Sequence, residues 1–172
     1  MPAVIAIVGG GNTGKTTLIE KLIPVLKERG FRVGTVKHVA HDFSIDPAGK
    51  DSWRHAAAGA DTVVVDANTR LLVLKPIPPI SDTDRLLKTI LDYFEDVDVV
   101  LAEGYKSADV PKIEVFRGVT GSQPICLGDP NLLAVLTDNP EAISGILRLD
   151  IDDISSIADL LEKQIASTLP PQ

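Results

Sequence analysis

Apolar and polar positions change rhythm several times along the 172 residues. The first apolar run, residues 4–8 (VIAIV), is rich in β-branched and small side chains and stops at three glycines, which predicts a buried strand. From residue 15 to 29 the rhythm is helical, with Leu18, Leu22, Val25 and Leu26 on one face. Pro24 cannot donate to the Glu20 carbonyl and predicts a kink; Gly30 predicts the C-terminal cap. Residues 32–37 (RVGTVK) read as a second strand and residues 51–58 as a short helix ending at Gly59.

In "ADTVVVDANTRLLVLK" two β-rich runs flank Asp66-Ala67-Asn68, the signal of an antiparallel hairpin over residues 62–75. The following "KPIPPI" cannot be a central strand, because proline donates nothing to a ladder. Ser81 is expected to cap a helix reaching about residue 94, with Leu86, Leu87, Ile90 and Leu91 inward. Residues 97–102 form a continuous apolar run, as in a parallel strand buried on both faces. Residues 112–116 and 132–137 supply two more strands, and Pro140 and Asp153 mark the starts of two closing helices. No repeat or long linker divides the chain, so it reads as one domain, residues 1–172, with residues 170–172 a loose tail. Strands alternating with helices make the fold class α/β: a three-layer sandwich on a mostly parallel sheet, with the antiparallel hairpin inserted.

Composition narrows the function. The mean hydropathy is slightly positive, but no run approaches the roughly 18 apolar residues of a membrane span. The N-terminal apolar run lacks the basic flank and cleavage site of a signal peptide, and the single Cys126 cannot form an internal disulfide. A net charge of −7 argues against a general nucleic-acid binder. The expectation is a soluble cytoplasmic protein, with no membrane and no nucleic acid among its partners.

Candidate chemistry begins at Gly9-Gly10-Gly11-Asn12-Thr13-Gly14-Lys15-Thr16, followed by Thr17, which matches G-x-x-x-x-G-K-[ST], the P-loop, between a predicted strand and helix. Backbone N–H groups must converge on phosphate oxygens, and a Cβ on the glycines would obstruct that wrap. The helix that follows points its positive end at the same anion. Lys15 would reach the β- and γ-phosphates, and Thr16 would offer its hydroxyl to Mg²⁺. The fold expected is therefore that of a P-loop NTPase. A carboxylate is also needed at a neighbouring strand end; Glu103, just past residues 97–102, is the candidate for the catalytic and metal-side role, whereas Asp98 lies at the wrong end of that strand.

After the second strand, "KHVAHDFSIDPAGKDSWRHAAAGAD" concentrates polar side chains on the carboxyl edge of the sheet, where ligands bind. Its His and Asp residues match no zinc spacing. These residues, with the P-loop run "GGGNTGKTTLIEKLIPVLKERGFRVGTVKH" and "AEGYK", resemble the molybdopterin-guanine dinucleotide biosynthesis adapter family, MobB, over about residues 3–138. The resemblance implies a GTP-binding homodimer with weak Mg²⁺-dependent GTPase activity. It also implies that the protein assists the molybdenum cofactor guanylyltransferase that joins molybdopterin to GMP. Lys37, His38, Asp46, Lys50, Asp51, Ser52 and Arg54 would form its ligand-facing loop, and an anionic molybdopterin would suit Lys37, Lys50 and Arg54. The early signature lysine of the dimer-bridging ATPases is absent from the P-loop.

Two assignments stay open on the sequence. Asp138, at the end of "LLAVLTD", either reads guanine or caps a helix ahead of Pro140, since no full N-K-x-D motif is present. The hairpin either pairs across a two-fold axis or extends the sheet of a monomer. The competing function is a small-molecule kinase using ATP, with Asp42 as base, although no Arg-rich lid is evident.

Overall fold

Alternation along the first strand divides the interior in two. In β1 (Ala3–Val8), Ala3, Ile5 and Ile7 join one apolar cluster, and Ala6 and Val8 join another on the opposite face. A computed structural model of the protein describes residues 1–39, 48–77, 80–118, 123–139, 143 and 145–168. Among these, the elements after β1 are α1 (Lys15–Glu28), β2 (Val33–Lys37), α2 (Asp51–Ala57), β3 (Val63–Asp66), β4 (Leu71–Leu74) and α3 (Thr83–Leu91). Then come β5 (Val99–Glu103), β6 (Lys112–Phe116), β7 (Leu132–Thr137), β8 (Arg148–Asp150) and α4 (Ile154–Thr168). They fall into two units, residues 39–81 and the remainder.

The larger unit carries a six-stranded sheet in the order β2-β5-β1-β6-β7-β8, with every neighbouring pair parallel. The first face is covered by α1 and α4, whose Leu18, Leu22, Leu26, Ile157, Leu161 and Ile165 meet Ile5, Leu101, Ile113 and Leu136. On the second face Leu87 of α3 joins Ala102, Phe116 and Val135, and loops supply Tyr105, Ala108 and Cys126. The α/β sandwich expected from the sequence is thus present. Parallel connectivity requires a crossover after each strand; β5 and β6 achieve this with a loop of eight residues between Glu103 and Lys112 rather than a helix.

Local chemistry sets the boundaries. Helix α1 runs through Pro24 and closes in a Schellman motif: Gly30, at φ +92°, donates to the Lys27 carbonyl at 3.0 Å and Phe31 to that of Leu26 at 3.1 Å. The cap of α3 is Asp82, not the expected Ser81; its carboxylate accepts from the N–H groups of Asp84 and Arg85. Either residue type can cap, and the charge of Asp82 adds a favourable interaction with the helix dipole. Asp153 accepts from Ser156 at the start of α4 as anticipated, whereas the helix start expected at Pro140 lies outside the described residues. The central strand begins at Val99, two residues later than read, because Asp98 is turned to Arg32 in a forked ion pair. Strand β8 is absent from the strands that the sequence pattern predicts.

The smaller unit contains α2 and the hairpin. Here β3 and β4 pair antiparallel, Val64 opposite Val73 and Asp66 opposite Leu71, and form a two-stranded sheet of their own. Asp66 accepts from the Asn68 N–H at 3.1 Å, and Asn68 takes the left-handed φ of +59° that the turn requires. The hairpin therefore forms where expected and is not an extension of the six-stranded sheet.

Candidate functional site

The turn after β1 is built around glycines that differ in their need to be glycine. A Cβ on Gly9, at φ +140°, would lie 2.3 Å from the Val115 carbonyl oxygen, so no other residue fits there. Nothing lies within 4 Å of a Cβ placed on Gly11. Asn12 at φ +57° and Gly14 at φ +99° take left-handed backbone that turns the chain into α1 at Lys15. The loop is pinned from within and from beneath. Thr13, almost fully buried, donates its hydroxyl to the Gly10 carbonyl at 3.1 Å, and Arg117 Nε donates to the Thr13 carbonyl at 3.1 Å. Lys15 Nζ folds over the turn and donates to the carbonyls of Gly9 at 3.1 Å and Gly10 at 2.6 Å.

Strand order supplies the carboxylate. Because β5 lies between β1 and β2, Glu103 stands level with Ile7 on one side and Lys37 on the other. Its side chain is 12 % exposed. Thr16 Oγ1 donates to Glu103 Oε1 at 3.1 Å and Oε2 at 3.0 Å, and Lys37 Nζ pairs with Oε1 at 3.0 Å. These groups wall an open cleft of about 390 Å³ that also reaches Asn12, Thr13, Gly14 and Thr17. Two ammonium groups and a helix N-terminus make it a place for an anion, while the adjoining hydroxyl and carboxylate are hard oxygen donors of the kind Mg²⁺ takes. Among the described residues no cluster of three or more His, Cys, Asp or Glu side chains could hold a metal by itself. A cation here would complete its shell with ligand oxygens and water.

The other candidates are distributed as follows. His38 continues from Lys37; its N–H donates to the Glu103 carbonyl at 3.0 Å, and its ring lies 5.4 Å from that of Tyr105. Asp138, at the end of β7, is held by two groups: Oδ1 accepts from the Gly118 N–H at 3.1 Å, and Oδ2 pairs with Arg117 Nη1 at 3.4 Å. Lys50, Asp51, Ser52 and Arg54 belong to the smaller unit, at and just before the first turn of α2, where Arg54 and Asp51 form a long, exposed 3.8 Å pair. Asp46 and Asp42 lie outside the described residues.

Three side chains that brace this edge of the sheet escape sequence reasoning. Arg117 follows β6 and joins the phosphate-loop carbonyl to Asp138, a link between segments more than 100 positions apart. Lys112 and Glu114, each about 1 % exposed, sit on the second face of β6. Lys112 Nζ donates to the Ala108 carbonyl and the Asp129 carboxylate, and Glu114 accepts from the N–H groups of Ile125 and Cys126. The Lys112 ammonium and, second to it, the Asn131 N–H hold the Asp129 carboxyl below the usual carboxylate range. Burial raises the Tyr105 phenol. The alternation in KIEVF places Lys112 and Glu114 on one face but cannot say that loops cover it.

Against known proteins, residues 4–138 match the family model described as molybdopterin guanine dinucleotide synthesis protein B, MobB. The chain is 36% identical over 163 residues to the molybdopterin-guanine dinucleotide biosynthesis adapter protein of Escherichia coli K12, covering 94% of this chain and 92% of that one. It is 38% identical over 166 residues to the adapter protein of Haemophilus influenzae, with 92% and 87% covered. A crystal structure of molybdopterin-guanine biosynthesis protein B superposes with a TM-score of 0.72 at 28% identity, over 95% of this chain and 99% of that one.

Proposed function

The chain belongs to the MobB family, and from that premise we propose that it is a GTP-binding adapter in the conversion of molybdopterin to molybdopterin guanine dinucleotide. The observation that carries the nucleotide part is the union of Lys15, Thr16, Lys37 and Glu103 around one cleft at the N-terminus of α1. Backbone N–H groups from Gly10 to Thr17 and the Lys15 ammonium bind the phosphates. Thr16 and Glu103 hold Mg²⁺, which neutralises charge on the phosphate oxygens when bound. Lys37 offsets the negative charge of Glu103 and orients it. GTP turnover on this reading is slow. Arg117, the arginine beside the loop, already donates to the Thr13 carbonyl and pairs with Asp138, so the Lys15 ammonium is left as the main cation for charge developing in the transition state.

Asp138 is the candidate guanine reader, because it stands at the end of a strand two places from β1, on the edge that carries the phosphate loop. The second ligand is molybdopterin, and the protein partner is the molybdenum cofactor guanylyltransferase, working on a cytoplasmic cofactor. A second copy of the chain pairs through the hairpin. Support for that comes from Val64, Leu71 and Val73, which share one exposed face of a two-stranded sheet with no further strand beside it among the described residues.

Calorimetric titration of the protein with GTP and ATP in Mg²⁺, with Lys15→Ala as control, tests the reading. Selective GTP binding that weakens about tenfold to a hundredfold in Lys15→Ala supports it; tighter ATP binding overturns it in favour of a small-molecule kinase. Light scattering at micromolar concentration tests the dimer, and a monomer would remove it.

A further inference from the structure

A second cavity opens beside the phosphate cleft, and the two share their walls residue by residue. At the end of β2, Lys37 lines the phosphate cleft and the next residue, His38, lines the second cavity; at the end of β5, Glu103 and Gly104 divide in the same way. The second cavity, about 180 Å³, also touches Gly9. That volume is below the roughly 300–1,000 Å³ of drug-sized pockets and leaves room for one small fused-ring system.

Its lining is selective. His38 and Tyr105 present two rings tilted by 56°, and Ile125 and Val8 add apolar surface. Thr83 and Ser107 supply hydroxyls, 3.0 Å apart, that can donate to or accept from a heterocycle edge. Lys106 adds a cation, and among the described residues no carboxylate lines the cavity, although the chain carries a net charge of −7. The wall is also held firmly. Tyr105 adopts φ +53°, an uncommon conformation for a bulky side chain, immediately after Gly104 at φ +94°. Strain of this kind persists only where surrounding structure imposes it. Here the surroundings are identifiable: Lys112 fixes the Ala108 carbonyl of the Tyr105 loop, and Glu114 fixes the N–H of Ile125. Two buried charges, each unfavourable to desolvate, are directed at the two loops that form this cavity.

Resting on the molybdopterin reading above, we infer that this cavity is the seat of the pterin ring, an aromatic heterocycle whose anionic substituent is met by Lys106. The ring lies next to the phosphate cleft rather than on the basic side chains of the smaller unit.

The test uses the whole 172-residue chain with saturating GTP and Mg²⁺ and the fluorescent probe pterin-6-carboxylate. The expected result is saturable one-to-one binding, weakened about tenfold or more by Lys106→Glu and abolished by Ile125→Trp, which fills the cavity. Calorimetric GTP affinity should be unchanged in both variants. Absence of probe binding to protein that binds GTP overturns the assignment and leaves the nucleotide reading standing. Probe binding in both variants equal to that of the unchanged protein, or probe that binds without GTP and is released when GTP is then added, also overturns it. Probe binding with the expected variant pattern in protein that does not bind GTP sustains the cavity and ends the nucleotide reading. Circular dichroism identifies a variant that does not fold, in which case the other decides.

Discussion

Thr16 and Glu103, 87 positions apart, meet where the first turn of α1 faces the end of β5, and the Thr16 hydroxyl donates to both oxygens of the carboxylate at 3.1 and 3.0 Å. A hydroxyl and a carboxylate this close can ligate one divalent cation without any movement of the backbone. Glu103→Gln keeps the shape and removes the charge. Its expected effect is loss of most of the Mg²⁺-dependent part of GTP affinity, with binding in EDTA little changed. Calorimetry with and without Mg²⁺ checks this; an intact Mg²⁺ dependence would place the cation elsewhere.

Removing the Lys15 ammonium deletes a charge-assisted contact of the sort that contributes about 1.5–3 kcal/mol. GTP affinity should fall about tenfold to a hundredfold in Lys15→Ala. The melting temperature should hardly move, because the partners of Lys15 in the fold are two carbonyls at the surface of the turn.

Gly9 and Gly11 separate stability from binding. Gly9→Ala drives a methyl into the Val115 carbonyl and should lower stability by about 2 kcal/mol or more. Gly11→Ala meets nothing and should leave urea denaturation unchanged. Equal midpoints for the two variants would contradict the turn geometry.

Asp129 sets a pH dependence with a definite sign. Its carboxyl is held below the ordinary value by Lys112 first and by the Asn131 N–H second. Its contribution to stability is complete above the unfolded carboxyl value of about 4 and is lost as the pH falls through the lower folded-state value. Asp129→Asn should flatten the acid limb of a stability-against-pH curve. Asp129→Ala strands a buried ammonium and should cost about 3 kcal/mol, whereas Lys112→Met, which strands only a partly exposed carboxylate, should cost less. Urea titrations from pH 3 to 7 measure both, and the reverse ranking would reject the account.

Asp138→Asn retains an acceptor for the Gly118 N–H but weakens the pair with Arg117. If Asp138 reads guanine, the preference for GTP over ATP collapses while phosphate affinity remains. An unchanged preference in competition binding would remove Asp138 from base recognition.

The sequence disclosed what depends on short-range rhythm. β1 and β7 are runs of apolar residues with few alternatives, and the glycine–lysine spacing of the phosphate loop is read directly. The three residues of β8, two of them charged, carry too little pattern to distinguish a strand from a turn. The pattern puts Lys112 and Glu114 in a strand but does not carry their burial, which is decided by the loops around Ala108 and Cys126. Arg117 is hidden for the same reason: its contacts exist only once β1, β6 and β7 are side by side. The polar segment after β2 shows the converse. Lys37 and His38 are fixed by strand pairing beside β5, while Lys50 to Arg54 fall in the other unit.

His38 and Asp82 flank the smaller unit, and His38 and Thr83, the residue after Asp82, line the same small cavity. The chain thus leaves the larger unit after β2 and re-enters it at the start of α3, beside one cavity. For the folding chain this makes residues 39–81 a side branch: neighbours β2 and β5 can pair once the loop between them has closed, whatever that loop contains, and closure entropy grows only slowly with its length. Exchange of the branch for a short glycine-serine bridge should therefore yield a shorter protein that still folds and still binds phosphate. Nature could lengthen, replace or decorate the branch without redesigning the sheet.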